Sequence, residues 1–377
     1  MEGGLRIASL ELRDFRSYGS FRLDDLGDLT LLIGPNGAGK TNVLEAVALM
    51  TSTQSFRRAQ IAQLVREGSA AAFVRARFTD GNRDIAGELA LEPGKRHYRL
   101  NGKEKRTADV RGLLPAVAFT PDDLQLVKKG SSLKRDALDD LGMQLTANYY
   151  IVRRDYEKVV RYKNRLLKDE APADLVASID EMLVTCGSQL FCYRTALLKR
   201  MVPLMASTYK VIAGADGGSA EDLRVGYRAS WQHLDEDGAI DLAGSAPVRD
   251  DVRRQLQEAL DCHRKEELAR KRSLVGPHND KVDLLLAGRD AALYASQGQQ
   301  RSIVLAWKLA EVECVRQSLG TNPVLLLDDV MSELDAVRRE MLVRFVTDEI
   351  QTFITATDLS GFGDGLLKRA SVIELSR

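Results

Sequence analysis

Residues 34–41 read Gly-Pro-Asn-Gly-Ala-Gly-Lys-Thr, and residues 324–335 read Val-Leu-Leu-Leu-Asp-Asp-Val-Met-Ser-Glu-Leu-Asp. In the first stretch Gly34, Gly37 and Gly39 let main-chain N–H groups turn inward around a phosphate, with Pro35, Asn36 and Ala38 completing the loop. Lys40 adds a point charge near the β- and γ-phosphates, and Thr41 offers a hydroxyl to Mg²⁺. In the second stretch four apolar residues run into Asp328 and Asp329, which puts two carboxylates at the carboxyl end of a buried strand, where open α/β sheets bind ligands. Asp328 is placed to hold Mg²⁺ through water, and Asp329 to orient or deprotonate an attacking water. Ser332 to Asp335 then forms a loop close to the γ-phosphate. Together these residues describe chemistry on ATP with Mg²⁺.

A third stretch, Ser-Gln-Gly-Gln-Gln-Arg at residues 296–301, lies just ahead of the carboxylate strand. By itself it reads equally as a cap before a helix over Ser302 to Val315. Its place in the order changes that reading. Glycine loop, serine-glycine signature and carboxylate strand succeed one another as in ATP-binding-cassette heads, where the serine and glycine of one subunit close over the γ-phosphate held by the other. Ser296, Gln297, Gly298 and Gln299 are then expected to act in trans, within an ATP-dependent homodimer.

Elements must hold these residues in place. Leu5 to Phe15 alternates with period two and reads as a half-buried strand, and the apolar run Leu29 to Ile33 reads as a central strand ending in glycine. Val43, Leu44, Val47 and Ala48 recur at helical spacing after the loop. Strand, glycine loop, helix is the context the phosphate motif requires. Alternating runs from Ala71 to Leu100, broken by Asp-Gly-Asn, Glu-Pro-Gly-Lys and Asn-Gly, predict an antiparallel layer. From Leu133 to Arg272 helical periodicity dominates, interrupted by a Gly/Asp/Ser-rich segment (Gly214 to Asp222) and a strand over Leu223 to Trp231. Strands return at Val324 to Leu327, Phe353 to Thr355 and Val372 to Leu375. The expected fold is α/β: an ABC-type P-loop ATPase head with an antiparallel β layer and an inserted, mainly helical lobe. Its divisions are expected at 1–118 for the first part of the head, 119–274 for the lobe and 275–377 for the rest.

The 54 Lys+Arg balance 54 Asp+Glu, so no whole-molecule field draws in a polyanion, and nucleic-acid binding requires a local basic surface. Four scattered cysteines without CxxC spacing point to reduced thiols. No run reaches the ~18 consecutive apolar residues of a membrane helix, and the alternating N-terminus is not a signal peptide. The expectation is a cytoplasmic, nucleoid-associated protein with no membrane partner.

The sequence resembles the RecF family, recombination mediators of the SMC-like branch of cassette ATPases. The resemblance rests on LELRDFRSY (Leu10 to Tyr18), the glycine loop, LNG (Leu100 to Gly102), FTPDDLQLV (Phe119 to Val127), KNRLLK (Lys163 to Lys168), VGPH (Val275 to His278), SQGQQR, LLLDDVMSELD and TFITATD (Thr352 to Asp358). It implies ATP-dependent dimerisation on single-stranded, gapped or junction DNA, and slow hydrolysis. The implied roles are gap repair, replication restart and SOS induction, with RecR and RecO type mediators helping to load the RecA recombinase. Asp335 takes the place of the D-loop aspartate, and Thr357 stands where transporters carry the switch histidine. Asp329, where transporters carry glutamate, reaches less far toward water. That missing histidine, with the FRSY start, separates the chain from soluble transporter subunits. It departs from the family in LKRDALDD (Leu133 to Asp140) and in Asn279-Asp280-Lys281 after the GPH.

Two basic clusters are DNA candidates: one on a hairpin with Lys103, Lys105 and Arg106, the other on a helical stretch with Arg153, Arg161 and Lys163. Arg57 and Arg58 follow the glycine-loop helix and join them. A charge run on a helix is ordinarily a solvated face, so both readings stand. His278 reads equally as a residue near the nucleotide interface and as a structural hydrogen-bonding group. Trp231 and Trp307 sit in apolar patterns and read as core.

Overall fold

The computed structural model describes residues 4–215, 221–231, 247–345, 350–360 and 362–376. The chain divides into two compact units, one of Met1–Asp123 with Glu311–Arg377 and one of Leu124–Ala310.

The first unit opens with β1 (Arg6–Phe15), whose Ile7, Leu10, Leu12 and Phe15 are buried while Arg6 and Arg13 face solvent. It continues through β2 (Tyr18–Leu23), the fully buried β3 (Leu29–Ile33), α1 (Lys40–Thr51) and the short α2 (Ile61–Leu64). The hairpins β4 (Ala72–Thr79), β5 (Asp84–Glu92), β6 (Lys95–Leu100) and β7 (Lys103–Lys105) follow, then α3 (Thr107–Val110) and β8 (Ala116–Phe119).

The second unit begins with α4 (Gln125–Lys128) and α5 (Ser131–Leu145), then the long α6 (Ala147–Lys168) and α7 (Ala173–Ala215). β9 (Leu223–Arg228), α8 (Arg249–Arg270), β10 (Lys281–Leu286), β11 (Arg289–Asp290) and α9 (Ala291–Tyr294) complete it. α10 (Gln297–Leu319) belongs to the second unit by its first turns and to the first by its last. The first unit then finishes with β12 (Val324–Asp328), α11 (Val330–Glu333), α12 (Ala336–Phe345), β13 (Thr352–Ala356), α13 (Asp364–Leu367) and β14 (Ser371–Glu374).

Within the first unit an antiparallel sheet of order β2-β1-β4-β5-β6-β7 accompanies a parallel sheet of order β14-β3-β13-β12-β8. α1 packs on strands of both, so the core contains Val43, Val47 and Met50 together with Leu89, Phe78 and Leu326. Gly87 is required at the closest approach. A Cβ there would meet the Phe78 ring at 2.7 Å and the Met50 methyl at 2.8 Å. The buried Gln351 side chain ties the layers, accepting from Ile7 N at 2.8 Å and donating to Ile7 O at 2.7 Å.

In the second unit α7 packs against α6 and α8, and β9-β10-β11 forms a small antiparallel sheet. By length and composition α7 would pass as a membrane span, with half of its most apolar window buried inside the protein. α7 carries Asp180 near its start and Arg194 at its middle, both buried and ion-paired within the unit.

The observed division falls after Asp123 and after Ala310, where the sequence expectation put it at 118–119 and 274–275, so residues 275–310 group with the helical unit. The reason is β10, which pairs with β9 along its length from Lys281↔Arg228 to Leu286↔Leu223 and packs on α5. Of the interruption over Gly214 to Asp222, residues 216–220 lie outside the described residues.

Candidate nucleotide-binding site

The glycine loop leaves β3 at Ile33, and its first amide, Gly34 N, donates to Ala356 O at the end of the neighbouring β13. Gly37 and Gly39 take φ of 85° and 94°, a region that side chains with a Cβ avoid. At Gly39 a Cβ would also lie 2.5 Å from the Tyr18 hydroxyl, while at Gly37 the space is open. Tyr18 thus floors the loop, with its hydroxyl donating to Ala38 O at 3.3 Å. Lys40 is buried, and its Nζ donates to Gly34 O at 2.6 Å and Pro35 O at 3.0 Å. Both acceptors are neutral, so its charge remains for an anion held in the loop.

β12 brings Asp328 to the same place. Thr41 Oγ1 donates to Asp328 Oδ1 at 2.8 Å, and Thr355 Oγ1 donates to the same oxygen at 2.9 Å. Thr355 Oγ1 also accepts from Asp329 N at 2.8 Å. One hydroxyl on β13 therefore fixes both acidic residues. Burial raises the Asp328 carboxyl above its ordinary range, and the two hydroxyl donors pull it back. Asp329 turns the chain with φ 52°, a left-handed conformation tolerated by Asp and common at functional turns.

These residues fit Mg-ATP. The glycine loop holds a buried ammonium bonded only to its own carbonyl oxygens. Thr41 and Asp328 offer adjacent oxygens of the hard type that Mg²⁺ prefers, and Mg²⁺ takes its remaining ligands from phosphates and water. Asp335 caps α12, accepting from Arg338 N at 3.0 Å and pairing with the Arg338 guanidinium. Thr357 is exposed just past β13, and its hydroxyl donates to Asp358 at 3.3 Å. Arg57 and Arg58 are exposed, Arg57 reaching Asn42 Oδ1 at 3.5 Å.

The signature sits in the helical unit. Ser296 and Gln299 form a reciprocal cap: Gln299 N donates to Ser296 Oγ at 3.2 Å and Ser296 N donates to Gln299 Oε1 at 2.8 Å. The helix expected from Ser302 therefore starts at Gln297, and Gln297, Gly298 and Gln299 form its first turn. Ser296 and Gln297 are exposed.

Two of the DNA candidates are corrected. Lys163 is no DNA contact. It is fully buried, with Nζ 2.7 Å from Asp180 and 2.6 Å from Glu267. Arg153 is likewise engaged, pairing with Asp139, Asp136 and Glu157. On the hairpin cluster, Lys103 and Lys105 are exposed on the edge strand and Arg106 pairs with Asp109 at 2.9 Å. Arg99, on the preceding strand β6, belongs to a row of alternating charge that crosses the whole sheet by register, Arg22–Glu11–Arg75–Glu88–Arg99–Glu104. That row is neutral and offers no net field to DNA.

His278 forms a structural hydrogen bond inside the helical unit, its Nδ1 lying 2.6 Å from the Tyr156 hydroxyl. Burial pulls it down to about 4, so it is neutral at pH 7. Around it Arg194 donates twice to Asp139 and once to Pro277 O, and Tyr227 donates to Asp280 at 2.5 Å. Burial pushes Asp280 up to about 6. Trp231 and Trp307 are buried, as expected.

Glycine loop on β3, acidic end on β12, an antiparallel layer and a helical lobe bearing the signature define the head of an ABC-type P-loop ATPase. The family described as RecF/RecN/SMC N terminal domain matches residues 6–364. "DNA replication and repair protein RecF" of Symbiobacterium thermophilum is 39% identical over 94% of this chain and 92% of its own length. The protein so described in Kineococcus radiotolerans is 38% identical over 93% of each. A solved structure of "the recombination mediator protein RecF-ATPrS in RecFOR pathway" superposes with TM-score 0.86 at 27% identity, covering 96% of this chain and 95% of that one. The RecF-ATP structure of the same pathway gives 0.85 at 28% identity over the same shares. A Pyrococcus furiosus Smc head domain shares the fold, with TM-score 0.50 at 14% identity. The chain belongs to the RecF family of DNA replication and repair proteins.

Proposed function

We propose that this chain is an ATP-operated DNA clamp of recombinational gap repair. The observation that carries the reading is the chain of contacts Thr41–Asp328–Thr355–Asp329, which joins the metal side and the water side of one ATP site through a single hydroxyl. Gly34 to Thr41 hold the phosphates, Lys40 neutralises their charge, and Thr41 with Asp328 hold Mg²⁺. Asp329 orients the attacking water with a short carboxylate, so turnover is slow and ATP serves as a clamp more than a fuel. Ser296, Gln297, Gly298 and Gln299 close over the γ-phosphate of a second copy, with Asp335 and Thr357 lining that junction. Arg57, Arg58, Lys103, Lys105, Arg106 and Arg161 supply phosphate contacts, which makes binding salt-dependent and blind to sequence. The proposed setting is the cytoplasm, at the nucleoid. RecR and RecO type mediators are the proposed companions in loading RecA, restarting replication and inducing SOS. Two structural neighbours are described as belonging to the RecFOR pathway, which supports these companions.

The test is fluorescence anisotropy on single-stranded, duplex and gapped DNA, with and without ATP, across a salt series. Binding strengthened by ATP and weakened by salt, with the ATP-dependent gain lost in Lys40→Met, is the expected result. ATP binding without DNA affinity at any salt rejects the clamp. Ser296→Arg is expected to abolish ATP-induced dimers on a sizing column while leaving ATP binding by the monomer intact.

A further inference from the structure

The GPH and LKRDALDD stretches meet at a cavity of about 270 Å³ inside the helical unit. Arg135, Arg153, Arg161 and Arg194 line it, with Tyr156 and His278. Among the described residues, two carboxylates, Asp136 and Glu157, line the same space.

The four guanidinium groups are not equivalent. Arg194 is spent on Asp139 through two hydrogen bonds of 2.9 and 2.8 Å. Arg153 is spent on Asp139, Asp136 and Glu157. Arg161, mostly exposed at the rim, reaches Glu157 only at 3.9 Å. Arg135 is half-buried and gives one N–H to the main-chain carbonyl of Asp280. Among the described residues it pairs with no carboxylate at ion-pair distance. Burial first, and then the neighbouring Arg194, pull its pKa below the usual guanidinium value, against the smaller opposing pull of Asp280, Tyr227 and Asp136.

Tyr156 and His278 close the remaining side without adding charge. The Tyr156 hydroxyl accepts from His278 N at 3.3 Å and meets Nδ1 at 2.6 Å, so with a neutral imidazole it donates to Nδ1. The ring proton is then on Nε2, which faces Ser273 O at 3.4 Å. A cation-selective or purely apolar guest does not suit this lining. A tetrahedral oxyanion does, because planar guanidinium forks match its oxygen pairs.

We infer that this cavity is a phosphoryl-binding site of the helical unit, with Arg135 as its principal ligand and Arg161 as its rim contact. The phosphoryl group comes from free phosphate and nucleotides or from a DNA backbone. The site is separate from the glycine loop and needs neither ATP nor a second copy, so its failure and that of the clamp are distinguishable.

The experiment uses the full chain carrying Lys40→Met, which removes the competing glycine loop, titrated with inorganic phosphate and followed by ³¹P line broadening. Saturable binding is expected. It should weaken about tenfold or more in Arg135→Gln, the loss of a charge-assisted hydrogen bond, and about threefold in Arg161→Ser, an exposed contact. Because Arg135 also braces Asp280, the rim variant keeps the test valid if Arg135→Gln fails to fold. Displacement of phosphate by a dT oligomer assigns the site to the DNA backbone, and displacement by ADP alone assigns it to free nucleotide. No saturable binding in Lys40→Met, or equal binding in the parent and in every folded variant, overturns the inference.

Discussion

Two buried lysines in this chain do opposite things. Lys40 in the ATPase unit gives its hydrogen bonds to two neutral carbonyl oxygens, whereas Lys163 in the helical unit lies against two carboxylates. Each is nearly or fully inaccessible. A buried ammonium held only by dipoles keeps an unmet attraction for an anion, so it marks a ligand site. One held by two buried carboxylates has its charge consumed and serves as a brace. Burial alone separates neither case; the charge of the partners does.

Breaking the brace gives the largest expected effect on stability. Lys163→Met leaves Asp180 and Glu267 facing each other with only the partly exposed Arg264, 3.4 Å from Asp180, as counter-charge, and removing one partner of a buried ionic group costs about 3–5 kcal/mol. Urea unfolding followed by circular dichroism measures it, and a loss below about 1 kcal/mol rejects the bracing role. Glu267 also accepts from Leu274 N at 2.8 Å, so the same change should loosen the approach to the GPH turn.

The next effect sharpens the contrast by pH. Asp280 sits at about 6 in the folded protein against an ordinary 3.8, so its contribution to stability is complete below pH 4 and is lost as pH rises through 6. His278 sits at about 4 against 6.5, so its contribution is complete above pH 6.5 and is lost as pH falls through 4. Each is worth about 3 kcal/mol at 1.36 kcal/mol per pKa unit. With opposite signs they nearly cancel between pH 4 and 6. The intact protein should therefore show a shallow pH dependence there, contributed by other groups. Asp280→Asn should gain stability as pH rises over that window and His278→Gln should lose it. Parallel pH profiles in the two variants would falsify the assignment.

Smaller still is Thr355→Val, which removes the hydroxyl shared by Asp328 and Asp329. The expected cost is about 1 kcal/mol in stability. The ATPase rate should fall about tenfold or more at little change in ATP affinity, since a misplaced Asp329 harms the hydrolytic step. A rate within twofold of the parent removes Thr355 from the site. The smallest effect on stability belongs to Lys40→Met, within about 0.5 kcal/mol, even as ATP binding is lost in a nucleotide titration. A large destabilisation there would make Lys40 a brace like Lys163 and dissolve the comparison.

The glycine loop, β3, β12 and the Ser296 signature were legible because each is a contiguous stretch whose spacing carries its geometry. The role of Thr355 was not, since it depends on β13 lying beside β12, a pairing of strands far from adjacent hydrogen-bond rules in the sequence. The helical unit's charged centre was less legible still. Its contacts join residues 55 and 83 positions apart, as in Arg194 with Asp139 and with Pro277. Lys163 was misread although the signal was present. Tyr156, Val159, Lys163 and Leu166 recur at helical spacing and share the buried stripe of α6. A cation on an apolar stripe is a buried ion pair awaiting partners, and its partners came from α7 and α8.

The row from Arg22 to Glu104 has a consequence for how this sheet can change over time. Ion pairs of 3.6, 2.9 and 3.2 Å join Glu11–Arg75, Arg75–Glu88 and Glu88–Arg99. Reversing the sign of an interior member such as Glu88 would set three cations abreast on neighbouring strands, which like-charge pairing penalises. Interior positions are thus free to drift only in concert, two or more strands at a time. The ends are released from that rule, because Arg22 has Asp24 and Glu104 has His97 as local substitutes. Mutational paths through the sheet should therefore enter from its edges, with the middle of the row changing last.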